Sequence, residues 1–569
     1  MAYAGVRIPK KRIRFDGWNA ITLGIFLFFI LFLIYPIFSI LLKSVFDIKT
    51  GTFNFEGWTT FFGNEYHYYT NCIWRSLAVS SVSTVIATTL GTILAYILRT
   101  VKIKLKNVLS ILLMITMVSP PFLASYAWIM LLGRMGIITK FLNSTLHLNY
   151  QGIYGFSGIV LVFSLKLIPL VNLYVGGALK QVDKTLLEAS DSLGGHGIGK
   201  FIHVVFPLIL PTILASAILV FMRVIADFGT PQIIGEGYMT LPTLIYNLAL
   251  GEVIEDNGTG SVTCIVVIVI TLILFLVQRY FSNKKKIEMS SLRPIEPVKA
   301  SPLKSVLCHI YCYALVALNI IPMLIVILQS FKNSTNVVFS GVWTFENYAK
   351  IFTDDGLLLS LGNTFLFSMV ALACVIVFGI LVAYTSIRRK SKLTSFLDTL
   401  TNIPYIIPGS VLGIALMTSF NATSIAAKYL KLILIGSWFI MLVNFIIRRL
   451  PYTIRSSAAI LRQIDLGVEE ASLSLGANKA KTFVGVTVPM MIPGVLSGAV
   501  MSWLTIITEL SGSIMLYTFK TKTLSIEIYS NVSTAYYGQG AALSTLLMII
   551  STAVLLVFFR VTGKKEIDI

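Results

Sequence analysis

The chain has 569 residues, of which 56% are hydrophobic and only 12% are charged, and its mean hydropathy is +0.84. Soluble globular proteins carry about 25% charged residues, so this composition excludes a soluble protein and predicts a helical membrane protein. The formal net charge is +20. The basic residues cluster in short segments between apolar runs, which is the pattern of cytoplasmic loops and argues against nucleic-acid binding.

Twelve apolar runs follow one another, each long enough to cross a hydrocarbon core of roughly 30 Å. They lie near residues 20–42, 76–98, 107–133, 156–178, 207–228, 261–280, 305–330, 362–386, 396–419, 428–447, 489–510 and 541–560. With a cytoplasmic N-terminus, every basic cluster falls on the cytoplasmic side, including Arg448 and Arg449, and the acidic loops around 252–256 and 354–355 fall outside. The predicted fold is all-α with about twelve transmembrane helices. The first run is too long for a signal peptide and is expected to be a retained helix.

The second six runs repeat the first six. Three residues recur at a shift of 288 (379 − 91): Gly91, Ala95 and Tyr96 correspond to Gly379, Ala383 and Tyr384. At the same shift Pro120 corresponds to Pro408, and Pro169 corresponds to Pro451 at a shift of 282. An even number of runs in each repeat predicts two parallel six-helix halves with a polar route between them. We expect a first unit at residues 1–280, a cytoplasmic linker at 281–304 and a second unit at 305–569, with both termini cytoplasmic.

The best-matched part of the repeat is a loop predicted to be cytoplasmic. Residues 181–211 correspond to residues 463–493 at the 282 shift. In the first copy Asp183 is expected to cap the N-terminus of a helix, and Gly194 suits the turn that ends the helix. Pro207 is expected in the first turn of the next span. The shared pattern is therefore a short helix, a glycine turn and a second helix that returns to the membrane.

The stretch "GGHGIGK" in this loop has the skeleton of a phosphate-binding loop, but three features exclude that function. Phe201 stands where Ser or Thr would hold Mg²⁺, a helix precedes the stretch instead of a strand, and the second copy lacks the glycines. We therefore expect no nucleotide, other cofactor or metal ion to bind this chain. The cysteines, including the pair Cys308 and Cys312, are expected to be small apolar residues of the spans.

The repeated "EAS…LG…F…V…P…P" pattern resembles the EAA loop of permease subunits of bacterial ATP-binding-cassette importers. The chain departs from that pattern at Ser190 and Ser472, where the family usually has Ala, and at the Gly-rich run after Gly194. The resemblance covers nearly the whole chain and implies a type I importer fold. It also implies residues that dock on the ATPases: Glu188, Ala189, Gly194, Glu470, Ala471 and Gly476. The implied partners are two ATPase subunits that bind ATP and Mg²⁺, an extracytoplasmic solute-binding protein and the lipid of a bacterial cytoplasmic membrane.

The ends of two spans indicate the class of cargo. Residues 226–246, "ADFGTPQIIGEGYMTLPTLIY", and residues 509–529, "ELSGSIMLYTFKTKTLSIEIY", resemble ferric-iron permeases, as does the stretch 403–416. Ferric iron is therefore the expected cargo. Two alternatives stay open: another small solute of the same group, such as thiamine, a phosphonate or a polyamine, and an ion-coupled secondary transporter.

Three ionisable residues within the spans are candidates for the pathway. Asp227 and Glu509 correspond at the 282 shift near the predicted outer ends of their spans, and intramembrane charges usually face a cavity. Either the two acids line the outer mouth, or each anchors its helix end. Lys166 is a third candidate, and the sequence names no partner for it. Arg223 lies four residues before Asp227, a spacing that predicts an ion pair on one helix face.

Overall fold

The computed structural model describes residues 17–47, 51–63, 67–119, 121–195, 197–250, 258–284, 293–335, 338–389 and 391–562. The terminal basic clusters, Pro120 and the acidic residues at 252–256, which entered the predictions above, lie outside these ranges. Nearly all of the described chain is helical. Two small antiparallel hairpins join Phe46–Asp47 to Thr52–Phe53 and Lys332–Thr335 to Val338–Trp343.

Helices make up the first half from Gly17 onward. Their bounds are Gly17–Phe29, Tyr35–Lys43, Glu56–Gly63, Tyr68–Thr100, Lys106–Val118, Pro121–Leu132, Ile137–Thr145, Gly155–Lys180, Lys184–Ser192, Gly197–Lys200, Phe206–Ile225, Gly229–Ile234, Leu241–Leu250 and Thr259–Lys284. Single π-helical turns at Ile30–Ile34 and Phe201–Val205 join the helices on either side of them.

The second half repeats this order. Its helices are Pro302–Ser330, Glu346–Thr353, Asp355–Arg388, Lys392–Leu400, Ile403–Ile406, Gly409–Ser419, Ile425–Leu430, Trp438–Gln463, Leu466–Ser474, Lys479–Thr482, Val488–Ile507, Leu524–Ser533 and Tyr537–Thr562. A π-helical turn at Phe483–Thr487 corresponds to the one at Phe201–Val205, and 3₁₀ turns occur at Ser513–Met515 and Phe519–Thr521. The all-α membrane fold is confirmed.

The count of spans differs from the sequence prediction. Ten helices in the described ranges are long and apolar enough to cross a membrane, and a bent pair raises the number to eleven. That pair, Leu393–Ile406 and Gly409–Ser419, bends by 110° in place of the predicted straight span at 396–419. The break falls at Pro408, which cannot donate a helical hydrogen bond and leaves Ile407 extended.

The predicted run at 428–447 is the second difference. The chain forms the short helix Ile425–Leu430 there and then begins Trp438–Gln463, a helix of 26 residues. This helix is not counted among the ten apolar spans, because it contains arginines at positions 448, 449, 455 and 462. At the 282 shift it nevertheless corresponds to Gly155–Lys180, which is one of the ten spans.

Close helix contacts explain why one glycine recurs in both halves. A Cβ added to Gly91 would lie 2.7 Å from the Cβ of Val171, and one added to Gly379 would lie 2.6 Å from the Cγ2 of Thr453. Each glycine thus permits the second long helix of its half to touch the fourth. Small residues let helix backbones approach closely in membranes, where packing drives association.

The first long helix of each half packs on the other half. Trp18 contacts the rings of Tyr384 and Phe483 at centroid distances of 4.7 and 4.8 Å. In the opposite direction, Tyr311 donates a hydrogen bond to the carbonyl of Leu90 (2.9 Å). This reciprocal packing holds the two halves together around their interface.

Candidate functional site

The two short helices of the repeated loop have the predicted capping. We call Lys184–Ser192 the first connector helix and Leu466–Ser474 the second connector helix. The Asp183 carboxylate accepts from the backbone N–H of Thr185 (2.9 Å), and that of Asp465 accepts from Gly467 (2.8 Å). Each cap satisfies a donor that the first helical turn leaves without an intrahelical partner.

A glycine with positive φ follows each connector helix. Gly194 has φ +83° and Gly476 has φ +91°, and no atom lies within 4 Å of a Cβ built on either. The predicted left-handed turn is therefore confirmed at both positions. Because the surrounding space is open, glycine is required here by backbone conformation and not by packing.

The surfaces of the connector helices are open and partly apolar. Glu188, Ala189, Glu470 and Ala471 are all exposed. The leucine before each turn glycine is almost fully accessible: Leu193 is 89% exposed and Leu475 is 90% exposed. The structure thus places one exposed leucine at the same point of each half.

The helix after the turn begins earlier than predicted. Helical structure resumes at Gly197 and at Lys479 and runs through the π-helical turns into Phe206–Ile225 and Val488–Ile507. Pro207 and Pro489 thus lie within a continuous helical path. Each proline lacks the N–H that would bond four residues back, which accounts for a π-helical turn directly before both prolines.

The Gly-rich run of the first copy is part of this path. Lys200, the lysine of the apparent phosphate-binding motif, forms a 2.5 Å ion pair with Asp191 of the first connector helix. The preceding element is a helix, as predicted. The run therefore links the connector helix to the returning helix.

The two connector helices are attached to the rest of the protein by different contacts. In the second, Glu469 is buried and accepts from Nε of Arg388 at 3.0 Å, while the same guanidinium donates to the carbonyl of Ile464 (2.8 Å). The residue equivalent to Glu469 in the first copy is Leu187, at the 282 shift.

The first connector helix is instead held by the segment between the halves. The backbone N–H of Lys184 donates to the carbonyl of Arg293 (2.8 Å), and that of Arg293 donates to Asp183 Oδ2 (3.3 Å). Farther along, Val298 exchanges backbone hydrogen bonds with Thr100 and Lys102. The linker end is thus a structural support of the first copy, which the sequence did not suggest.

Glu509 lies in the interior, paired with two arginines. It is 4% exposed and accepts hydrogen bonds from the guanidinium groups of Arg448 and Arg449 and from the backbone N–H of Gly512. The prediction that Arg448 and Arg449 lie in a short segment between two spans is therefore wrong. They lie in the middle of Trp438–Gln463, because a buried carboxylate compensates their charge there.

Asp227 and Lys166 are the first-half counterparts of this ion pair. At the 282 shift Lys166 corresponds to Arg448, as Asp227 does to Glu509. Both first-half residues are half-buried, and the charges of Asp227 and Arg223 act on the Lys166 ammonium. This repeat relation could have been read from the sequence and would have named a partner for Lys166.

The predicted Arg223–Asp227 ion pair is not formed. Among the described side chains, no oxygen of Asp227 lies within the 4.0 Å ion-pair distance of Arg223. Asp227 Oδ1 accepts from the backbone N–H of Thr230 (2.8 Å). Asp227 and Glu509 thus each accept a hydrogen bond from the backbone N–H of the residue three positions later. This contact fits the expectation that each acid anchors the end of its helix. Their role in a pathway stays a prediction.

No cluster of three or more metal-ligating side chains occurs in the described ranges. Cys308 and Cys312 are buried one turn apart in the helix Pro302–Ser330.

Comparison with known proteins gives matches over most of the chain. Residues 87–287 and 375–564 match the sequence profile of a family described as "Binding-protein-dependent transport system inner membrane component". The chain is 28% identical over 554 residues to the ferric transport system permease protein FbpB of Actinobacillus pleuropneumoniae, covering 96% of this chain and 78% of that protein. It is also 28% identical to the putative ferric transport system permease protein FbpB 1 of Haemophilus influenzae, covering 89% of this chain and 79% of that protein.

Among solved structures, a bacterial ABC transporter involved in the import of the acidic polysaccharide alginate aligns with 18% identity and a TM-score of 0.39. The alignment covers 46% of this chain and 98% of that chain.

Proposed function

Since the chain belongs to the family of inner-membrane components of binding-protein-dependent transport systems, we propose that it imports ferric iron, driven by ATP that two separate ATPase subunits hydrolyse. The proposal for iron is supported by the relatives named as ferric transport permeases, one of which aligns with 96% of this chain. The chain supplies both halves of the pore, because the family profile matches it twice.

The observation that carries the proposed coupling is the pair of connector helices. Both present an exposed leucine, an exposed glutamate and a glycine turn at equivalent positions. Exposed apolar side chains rimmed by polar ones are typical of protein–protein contacts. A groove on each ATPase subunit would cover Leu193 and Leu475 and pair with Glu188 and Glu470.

The connector helices suit the transmission of movement. Each has nine residues and is therefore about 13 Å long. Arg388 fixes the second connector helix to its half, and the end of the linker at Arg293 fixes the first. A displacement of either connector helix would therefore move the half to which it is attached. Switching a two-state pore from 1:99 to 99:1 requires about 5.5 kcal/mol, and ATP binding to the partner subunits would supply it.

In the proposed cycle, closure of the ATPase subunits moves the connector helices and turns the pathway outward. A solute-binding protein then delivers its cargo to the outer mouth. The cargo passes Asp227 and Glu509 on its way between the halves, and ATP hydrolysis resets the pathway. Lys166 would lie beside this route.

Uptake by a quadruple variant tests the coupling. Gly194→Val, Gly476→Val, Glu188→Ala and Glu470→Ala together should abolish iron uptake while the protein still inserts into the membrane. Undiminished transport would contradict the role of the connector helices. The matched control is Lys350→Ala, which removes an exposed helical ion pair remote from them and should leave uptake unchanged.

A further inference from the structure

Among the described residues, one region of the membrane domain carries more positive than negative charge. Besides Lys166, Arg448 and Arg449, two more arginines reach the same region, Arg223 from the first half and Arg455 from the second. We call these five residues the basic cluster. The carboxylates facing them are Asp227 and Glu509, which leaves a net charge of +3.

Tyr452 shows that the cluster spans the interface between the halves. Its hydroxyl lies within electrostatic range of four guanidinium groups, those of Arg223, Arg448, Arg449 and Arg455. Three of these belong to its own helix, while Arg223 comes from the helix Phe206–Ile225 of the other half. The charges of Arg223 and Arg455 also act on the hydroxyl of Tyr174 in the first half, and the rings of Tyr452 and Tyr405 pack at a centroid distance of 5.3 Å beneath Arg455. The groups therefore converge from both halves on one region.

Parts of the cluster are accessible or lack a partner. Arg223 and Arg455 are exposed, although each lies within a helix of the membrane domain. Arg455 lies over the ring of Tyr405 at 4.2 Å and donates to Asn402 Oδ1. The Nε of Arg449 is buried with no hydrogen-bond acceptor among the described residues. One helical turn from Arg448, both polar atoms of the Asn444 side chain are likewise buried and unpaired.

An uncompensated charge inside a membrane protein is costly, and such residues usually face a water-filled route or a counter-charge. A bare trivalent cation entering this region would meet net positive charge at short range, where the local dielectric constant is low. Guanidinium groups instead match carboxylate, phosphate and similar oxyanions, which they bind in a bidentate manner. The tyrosine hydroxyls can donate to the same oxygens.

We propose that the cargo crosses between the halves as an oxygen-rich anion, so that iron would pass as an anionic complex and not as a bare ion. The inference rests on the proposed import function and specifies the charge of what is imported. Arg223 and Arg455 bind the anion from opposite halves. Glu509 holds Arg448 and Arg449 in place, and the guanidinium N–H groups that do not bind Glu509 donate to the anion.

The test uses proteoliposomes that contain the full chain with its ATPase subunits and its binding protein. Radioiron is supplied with radiolabelled citrate in one arm and with radiolabelled inorganic phosphate in another, and a third arm holds radiolabelled sulfate without iron. The proposal predicts that in an iron arm a labelled anion accumulates with the iron in a fixed ratio. Iron that enters with neither anion would overturn it.

Charge variants make the test specific to the cluster. Arg223→Gln with Arg455→Gln should lower uptake about tenfold, which corresponds to a loss of roughly 1.4 kcal/mol. Arg223→Lys with Arg455→Lys keeps the charge but not the bidentate geometry and should restore part of it. The control is Arg134→Gln, which removes an exposed pair with Glu236 and should leave uptake unchanged. Equal uptake by the glutamine and lysine pairs would contradict anion recognition.

The outcomes separate this inference from the proposed function. If phosphate or sulfate accumulates and iron does not, the proposed iron cargo is wrong and the anionic cargo is supported. If iron accumulates alone, the iron cargo stands and the anion proposal is wrong. Each glutamine variant is first checked for membrane insertion and for its thermal unfolding midpoint, so that a folding defect is not read as loss of binding.

Discussion

Neutralising Glu509 should destabilise the protein far more than the same change at the equivalent residue of the other half. The Glu509 side chain is 3% exposed, and it compensates Arg448 and Arg449, whose side chains are 16% and 14% exposed. Glu509→Gln keeps an acceptor for the Gly512 N–H but leaves two guanidinium groups buried without a counter-charge. Removing one partner of a buried ion pair costs about 3–5 kcal/mol.

Asp227→Asn is the matched control that the internal repeat provides. Asp227 is half-buried, and its Oδ1 accepts a hydrogen bond from the backbone N–H of Thr230. An asparagine oxygen can accept that same hydrogen bond, so we expect a cost of about 1 kcal/mol or less. The repeat thus offers two acids at equivalent positions with very different surroundings.

The assay is thermal unfolding of the full chain in nanodiscs, followed by tryptophan fluorescence at one heating rate, because membrane proteins commonly unfold irreversibly. Glu509→Gln should lower the midpoint several times more than Asp227→Asn. Replacing all three groups, with Arg448→Met, Arg449→Met and Glu509→Leu, should recover most of the loss, since apolar residues of similar volume often substitute for a buried ion pair. Equal shifts for the two single variants would refute this reasoning.

The connector helices give three further predictions. Gly476→Val should abolish coupled transport while Gly476→Asn retains much of it, because the left-handed conformation costs about 1–2 kcal/mol for most residues and asparagine tolerates it; uptake by both variants in vesicles checks this, and equal activity would contradict it. Leu193→Ser with Leu475→Ser should weaken binding of the ATPase subunits in a pull-down and leave the free energy of unfolding within about 0.5 kcal/mol of wild type, as for exposed surface changes. Unchanged binding would argue against docking there. Arg388→Met should speed backbone hydrogen exchange in the second connector helix and not in the first, because Glu469 then loses its buried partner. An equal increase in both helices would contradict the inference that they are attached by different contacts.

Local features of the fold were predictable from the sequence. The N-cap at Asp183, the short helix and the glycine turn depend on residues within a dozen positions of one another, and all three are confirmed at both copies. Their recurrence at one fixed shift made the prediction stronger than either copy alone, because a chance motif would not repeat in register.

Long-range features were not predictable in the same way. The positive-inside rule interprets a pair of arginines as part of a cytoplasmic loop. Arg449 lies inside a helix instead, because the carboxylate of Glu509, 60 positions away, compensates its charge. Hydropathy alone could not reveal this distant partner. The packing of Trp18 on Tyr384 and the support of Asp183 by Arg293 also join distant segments. The correspondence of Lys166 with Arg448 was available from the shift, and applying the repeat to charged residues as well as glycines would have revealed it.

Transport by the assembled system tests the central claim most directly. The full chain is reconstituted in proteoliposomes with the two proposed ATPase subunits and the proposed solute-binding protein, and accumulation of radioiron is measured with and without ATP. We predict accumulation that requires both ATP and the loaded binding protein. Iron entry that persists without ATP, or ATP hydrolysis that moves no cargo in any form offered, would contradict the account.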